Sequence, residues 1–177
     1  MKPYLILFLL TLLSTTCKKE NAKAPQLPPA TQEGKRVFAC KVNGKVWISK
    51  GGIREMNGGI DGDTLSARGT IDTDDGRIES FGIVLLGSYR DGETEYELND
   101  TASAYAVYRR NPGADCFSTD GRGYGSVVRV KITGGHLTVT RADRVNNIVS
   151  GTFRFNVPTD YCDTIKVTEG RFDIKTW

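Results

Sequence analysis

Residues 37–49 read VFACKVNGKVWIS, thirteen residues on which the fold turns. Phe38, Cys40 and Val42 alternate with Ala39 and Lys41. Side chains of an extended chain point to opposite sides in turn, so the three apolar groups share one face. Asn43-Gly44 follows, and a second apolar run over residues 46–48 comes directly after. An Asn-Gly pair between two such runs signals a two-residue hairpin, because both central residues of a type I′ turn need positive φ. The stretch therefore reads as two paired antiparallel strands.

The same period of two recurs outward from this hairpin. In SVVRVKIT (126–133), Val128, Val130 and Ile132 alternate with Arg129 and Lys131. In SGTFRFNV (150–157), Phe153, Phe155 and Val157 alternate with Arg154 and Asn156. TIKVT and RFDIKT close the chain in the same way, and Glu169-Gly170 between them reads as a turn. Further strands are expected over residues 64–71, 77–86, 94–98 and 102–109. DTDDG (72–76), YRDG (89–92) and TGG (133–135) supply turn signals between them. Two longer stretches, a Gly-rich one over 51–63 and another over 111–125, read as loops. About ten short strands with Gly and Asp punctuation predict an all-β domain, either a sandwich or a partly open barrel. Short connections favour an antiparallel meander. No segment beyond the first residues carries the 3.6-residue period of an amphipathic helix.

Composition sets the bounds. The chain has 177 residues, 38% apolar and 25% charged, which suits one soluble domain with a real core. A net charge of +3 is too small for a nucleic-acid footprint, and no lysine/arginine stripe supplies one. Nucleic acid is therefore not an expected partner.

Residues 1–16 have the parts of an export signal: Lys2, then the ten-residue apolar run YLILFLLTLL from Tyr4 to Leu13. A spanning helix needs about 20 apolar residues, so this run is short for a membrane anchor. Small residues and Cys17 follow, and the whole resembles a bacterial lipoprotein signal. That resemblance implies cleavage before Cys17 and a diacylglycerol thioether on its sulfur. Ser14 and Thr16 stand where such signals usually carry leucine and a Gly, Ala or Ser, with leucines displaced to 12 and 13. The competing reading is an ordinary secretory signal cut nearby, which leaves a free thiol. A doubly acylated cysteine would hold the protein on a membrane with no transmembrane helix. Residues 17–35 then form a lipidated cysteine and flexible tether. KKENAKAPQLPPATQEGK (18–35) has three prolines and no apolar period, a composition of extended spacers. The all-β domain is expected over 36–177.

LPPATQEGK…FACKVNGKVW near the start and VSGTFRF…DTIKVTEGRFDI near the end together resemble a family of small uncharacterised lipoproteins of Bacteroidota-type bacteria. The resemblance covers both ends of the mature chain and is weaker over 50–125. It implies an exported, membrane-tethered all-β domain, and carries no activity with it.

With Cys17 acylated, Cys40, Cys116 and Cys162 remain. Cys40 alternates with core positions and reads as a buried hydrophobe. Cys116 and Cys162 lie in polar connecting segments, GADCFSTD and TDYCDT, and are expected to pair.

Catalytic machinery is hard to assemble. The single histidine, His136, follows Gly134-Gly135 in an expected turn. There is no G-x-S-x-G elbow and no C-x-x-C pair, so neither a serine-hydrolase elbow nor a zinc or thioredoxin motif is read. Asp72 and Asp74 match two positions of a calcium loop, but Gly76 arrives one place early. With Asp61 and Asp63 they make a weak calcium candidate, and no cofactor is expected. Tyr124 beside Arg122, with Arg109 and Arg110 drawn near if the long loop folds back, offers a contact surface. Tyr105 and Tyr108 fall on opposite faces of one strand, so one at most can enter the core. The expected function is non-enzymatic: a lipid-anchored β domain of the bacterial cell envelope, expected at the outer membrane and facing the periplasm or the surface. It would bind or assemble with an envelope protein or glycan. The alternative is a lipocalin-like carrier of a small apolar or glycan ligand.

Overall fold

The computed structural model describes residues 24–49, 56–72, 78–99, 103–111 and 132–176, with backbone alone for 109–111. Ten strands run through them: β1 Val37–Val42, β2 Lys45–Ile48, β3 Met56–Asp61, β4 Thr64–Asp72, β5 Ile78–Leu85, β6 Glu95–Leu98, β7 Ala104–Asn111, β8 Thr133–Asp143, β9 Ile148–Val157 and β10 Ile165–Lys175. They form a six-stranded sheet, β2-β1-β10-β9-β8-β6, and a four-stranded sheet, β3-β4-β5-β7, with every pair antiparallel. Neither sheet closes on itself among the described residues, so the molecule is a β-sandwich and not a barrel.

The opening hairpin forms as its turn chemistry requires. Asn43 and Gly44 take φ of 48° and 80°, and Val42 pairs with Lys45. Asn43 also bridges to β10, its N–H donating to the Lys166 carbonyl at 2.9 Å. Its side-chain oxygen accepts from the Lys166 N–H at 2.8 Å.

Sequential hairpins account for β3-β4-β5 and β8-β9-β10, as short connections imply. Three neighbours depart from chain order: β1 lies beside β10, β7 beside β5, and β6 beside β8. The YRDG segment bends as expected but carries the chain from one sheet to the other. Its Tyr89 N–H is held by the Asp63 carbonyl at 2.9 Å.

Three expected punctuations are corrected. Glu169-Gly170 is no turn: β10 runs unbroken from Ile165 to Lys175, and the pairing slips there against both neighbours. Glu169 takes φ of 50° as the extra residue of a β-bulge. The bulge inverts parity, so Val167 before it and Phe172 and Ile174 after it all face the core. TGG is likewise a bulge inside β8, which places His136 on a strand. The Gly-rich stretch over 51–63 contains β3, whose glycines hide its pattern.

The core lies between the sheets. Phe38, Phe81, Phe155 and Phe172 are almost fully buried, with Leu65, Ile83, Leu85, Leu137 and Ile174. Rings meet across the layers: Trp47 of β2 stands edge-on to Phe81 of β5 with centroids 5.0 Å apart. Tyr108 enters this core beside Phe81, while Tyr105 is half-buried, as opposite faces demand. Two glycines make room for rings. A Cβ on Gly170 would stand 2.5 Å from the Phe153 ring, and one on Gly69 would stand 2.5 Å from the Phe38 ring.

Candidate functional site

The outer face of the six-stranded sheet carries a buried carboxylate. Val37, Asp173, Ser150 and Arg141 form one row across β1, β10, β9 and β8 by their register. Such a face ordinarily meets water, yet Asp173 is 1% exposed and Ser150 0%. The cover is the segment before β1. The Asp173 Oδ2 accepts from the Thr31 hydroxyl at 2.6 Å and from the N–H groups of Glu33 and Lys35 at 3.0 and 3.1 Å. Its Oδ1 accepts from the Gly34 N–H at 2.8 Å and the Ser150 hydroxyl at 2.7 Å.

Local conformation makes this convergence possible. Gly34 at φ 74° turns three successive N–H groups toward one point, forming an anion nest of backbone amides. A side chain there would meet Lys175 Cβ at 2.8 Å and Ile148 Cγ1 at 3.2 Å, so glycine is also the residue that lets the backbone lie flat. Burial alone pushes the Asp173 carboxyl up, but hydrogen bonds from Thr31, Ser150, Lys35 and Gly34 outweigh it and hold the group below its usual range. Two arginines of the same face reach the segment as well. Arg171 donates to the Pro28 carbonyl at 2.9 Å, and Arg141 donates to the Gln32 carbonyl.

This corrects the expected tether boundary. Residues 28–35 are a strap seated on the domain, not a free spacer. Proline-rich composition says only that a segment cannot fold by itself; a carboxylate and two arginines elsewhere in the chain supply its partners.

A second feature is a surface groove of about 630 Å³ between the 89–94 segment and the β8–β9 turn. Tyr89, Asp91, Glu93 and Thr94 line one wall, and Val139 to Val145 the other. Strand β6 covers β8 only from Gly135 to Thr138, and the last bond between them runs from the Val139 N–H to the Thr94 carbonyl at 2.7 Å. Beyond it β8 borders the groove. Arg144 ties the walls together, reaching Asp91 at 3.3 Å and the Gly62 carbonyl at 2.7 Å over the Tyr89 ring. Burial, then the hydrogen bond to Asp91, pushes the Tyr89 hydroxyl up to about 12. Val145 stands at the rim, 91% exposed.

His136 does meet two carboxylates. Its Nε2 lies 2.6 Å from Glu95 Oε2 and its Nδ1 3.3 Å from Glu97 Oε1, on the open face of the sheet. The Thr138 hydroxyl donates to the same Glu95 oxygen at 3.0 Å. The acid therefore sits between hydroxyl and imidazole. Nucleophile activation needs the imidazole in the middle, so this order does not make a triad. Glu79, inward on β5 beside the core, accepts from the Trp47 indole N–H at 3.0 Å and the Tyr108 hydroxyl at 2.9 Å.

Of the residues singled out by sequence, Cys17, Asp74, Cys116, Arg122 and Tyr124 lie outside the described residues. Arg109 and Arg110 stand on β7 at register positions opposite Ser80 and Glu79. Cys162 lies in the exposed β9–β10 connection and is not a free thiol, whereas Cys40 is free and buried. The calcium candidates are separated: Asp61 ends β3 and Asp63 immediately precedes β4, whereas Asp72 ends β4, nine residues on from Asp63. No group of three His, Cys, Asp or Glu among the described residues could hold a metal ion. Asp173, Ser150 and Glu79 were invisible to pattern reading, because an acidic or hydroxyl residue on a strand ordinarily marks a wet face.

No curated protein and no solved structure matches the chain. One family model does, over residues 35–173, and its two end residues touch in the fold through the Lys35 N–H and the Asp173 carboxylate. The chain thus belongs to the family described as a domain of unknown function, DUF6252.

Proposed function

We propose that the protein is a lipid-anchored β-sandwich of the bacterial cell envelope, and that it binds or assembles with another envelope component instead of transforming a substrate. The observation that carries the anchoring is Cys17, placed between a ten-residue apolar run and Lys18-Lys19. Two acyl chains on one cysteine suffice for stable attachment, at about 0.8 kcal/mol per buried methylene. Detergent phase partitioning tests this. The wild-type chain should enter the detergent phase and Cys17→Ala should move to the aqueous phase; an unmoved variant sinks the proposal.

The groove beside β8 is the contact region that the geometry supports best. It offers a strand edge that is unpaired among the described residues, a wall of paired charges and an exposed valine, the elements of a polar-rimmed peptide contact. Arg122 and Tyr124 with Arg109 and Arg110 are a second contact proposal, supported by their spacing in the sequence. A photocrosslinker in place of Val145 should give a discrete adduct in intact envelopes. Adducts from other surface positions but none from Val145 would remove the groove from the proposal. The carrier reading has less behind it: among the described residues phenylalanine rings meet one another between the sheets, where a carrier needs an enclosed volume of roughly 300 Å³ or more.

A further inference from the structure

The strap has a consequence for how the domain is held, which rests on the anchoring at Cys17. We propose that residues 28–35 are a latch with Asp173 as its catch, and that the latch sets how far the domain stands from the bilayer and which face it turns there. If the whole of 18–35 were free, its eighteen residues would reach about 55 Å at about 3 Å per residue. With the strap seated, ten residues, 18–27, separate Cys17 from it, and they can span at most about 30 Å. The strap begins at Pro28, beside Arg171 on the outer face of the six-stranded sheet. Anchoring therefore draws that face, and not the opposite sheet, toward the lipid.

The seat is built for one occupant. Five donors converge on the Asp173 carboxylate, four of them from the strap and the fifth, Ser150, from the sheet beneath. Ala39 and Ile148 on the same outer face are 0% and 6% exposed, with Ile148 lying under Gly34. The strap is fixed at its end by Asp173, and Arg141 and Arg171 hold the carbonyls of Gln32 and Pro28. The charged groups around the catch include Glu33 and Lys35 of the strap, which pair with each other at 3.0 Å, and Arg171 and Lys175, two residues either side of Asp173 on β10. Arg141 and Asp143 of β8 likewise pair at 2.6 Å. No cation is bonded to Asp173 among the described residues, so the amides and hydroxyls are what hold it.

Two variants attack the latch from opposite sides. Asp173→Asn removes the charge from the seat, and Gly34→Val lifts the strap off Lys175 and Ile148 while leaving every residue of the sheet unaltered. Hydrogen exchange on the lipidated full-length mature protein should show the Glu33, Gly34 and Lys35 amides protected in wild type. Exchange at these amides should quicken roughly tenfold or more in each variant, with β9 protection retained in Gly34→Val. Neutron reflectometry on supported bilayers should then show both variants displaced outward and broadened relative to wild type. Strap amides that exchange in wild type as fast as in the variants would overturn the latch. A released strap with an unchanged height profile would overturn its control of reach. Protein that washes off the bilayer in every form refutes the anchoring, and with it the reach, while the exchange result still decides whether the strap is fastened.

Discussion

Asp173 has exchanged its water for five hydrogen-bond donors, and its energetics follow from that exchange. Hydrogen bonds to a charged group are worth about 1.5–3 kcal/mol, and truncation would leave amides and hydroxyls buried without an acceptor. Asp173→Ala should therefore lower stability by about 2–4 kcal/mol in urea unfolding; a loss under about 0.5 kcal/mol would contradict the seat. The sign of the pH dependence is set by a carboxyl held below its ordinary range. Its stabilisation is complete above the unfolded carboxylate pKa, about 4, and is lost as pH falls through the lower folded value. Asp143, also held low by Asn146 and Arg141, adds in the same direction. Asp173→Asn should flatten the acid limb of the stability profile in part, and an unaltered slope below about pH 4 would count against the assignment. Cys40 shows the opposite case. Burial, then the nearby Glu79 charge, pushes its thiol up to about 12. The folded protein should resist alkylation at Cys40 at neutral pH and react only when unfolded; labelling without denaturant would show the site to be open.

At the scale of elements, the bulges decide which side chains reach the core. One extra residue at Glu169 lets β10 present odd-numbered residues inward before it and even-numbered ones after it. A strand read strictly by alternation breaks at such a point, which is why Glu169-Gly170 resembles a turn in the sequence. Gly170 then lies under the Phe153 ring, 2.5 Å from where a Cβ would stand. Gly170→Val should cost about 2–3 kcal/mol by forcing that ring aside, read from the urea midpoint; an unchanged midpoint would mean that the ring moves freely. The Asn43-Gly44 hairpin is the contrasting element. Its turn residues, apolar face and register all point the same way, so it was legible without any tertiary context.

For the whole molecule, the pairing of β1 with β10 brings the two ends of the domain together and creates the seat at their junction. The expected Cys116–Cys162 bond would add a second long-range closure, over a loop of about 45 residues worth roughly 3–4 kcal/mol in the chain-entropy model. Peptide mapping without reductant should recover that pair, and a Cys40-containing crosslinked peptide would overturn it. The sequence by itself determined the all-β class, the opening hairpin, the buried Cys40 and most of the strands, because alternation and turn chemistry are local. Tertiary structure decided the division into two sheets, the crossing of β6 and the role of the strap. The strap depends on pairings more than a hundred positions apart, as between Gly34 and Asp173, and β6 on a partner strand about forty positions on; local pattern carries no information about which distant group will satisfy a backbone N–H.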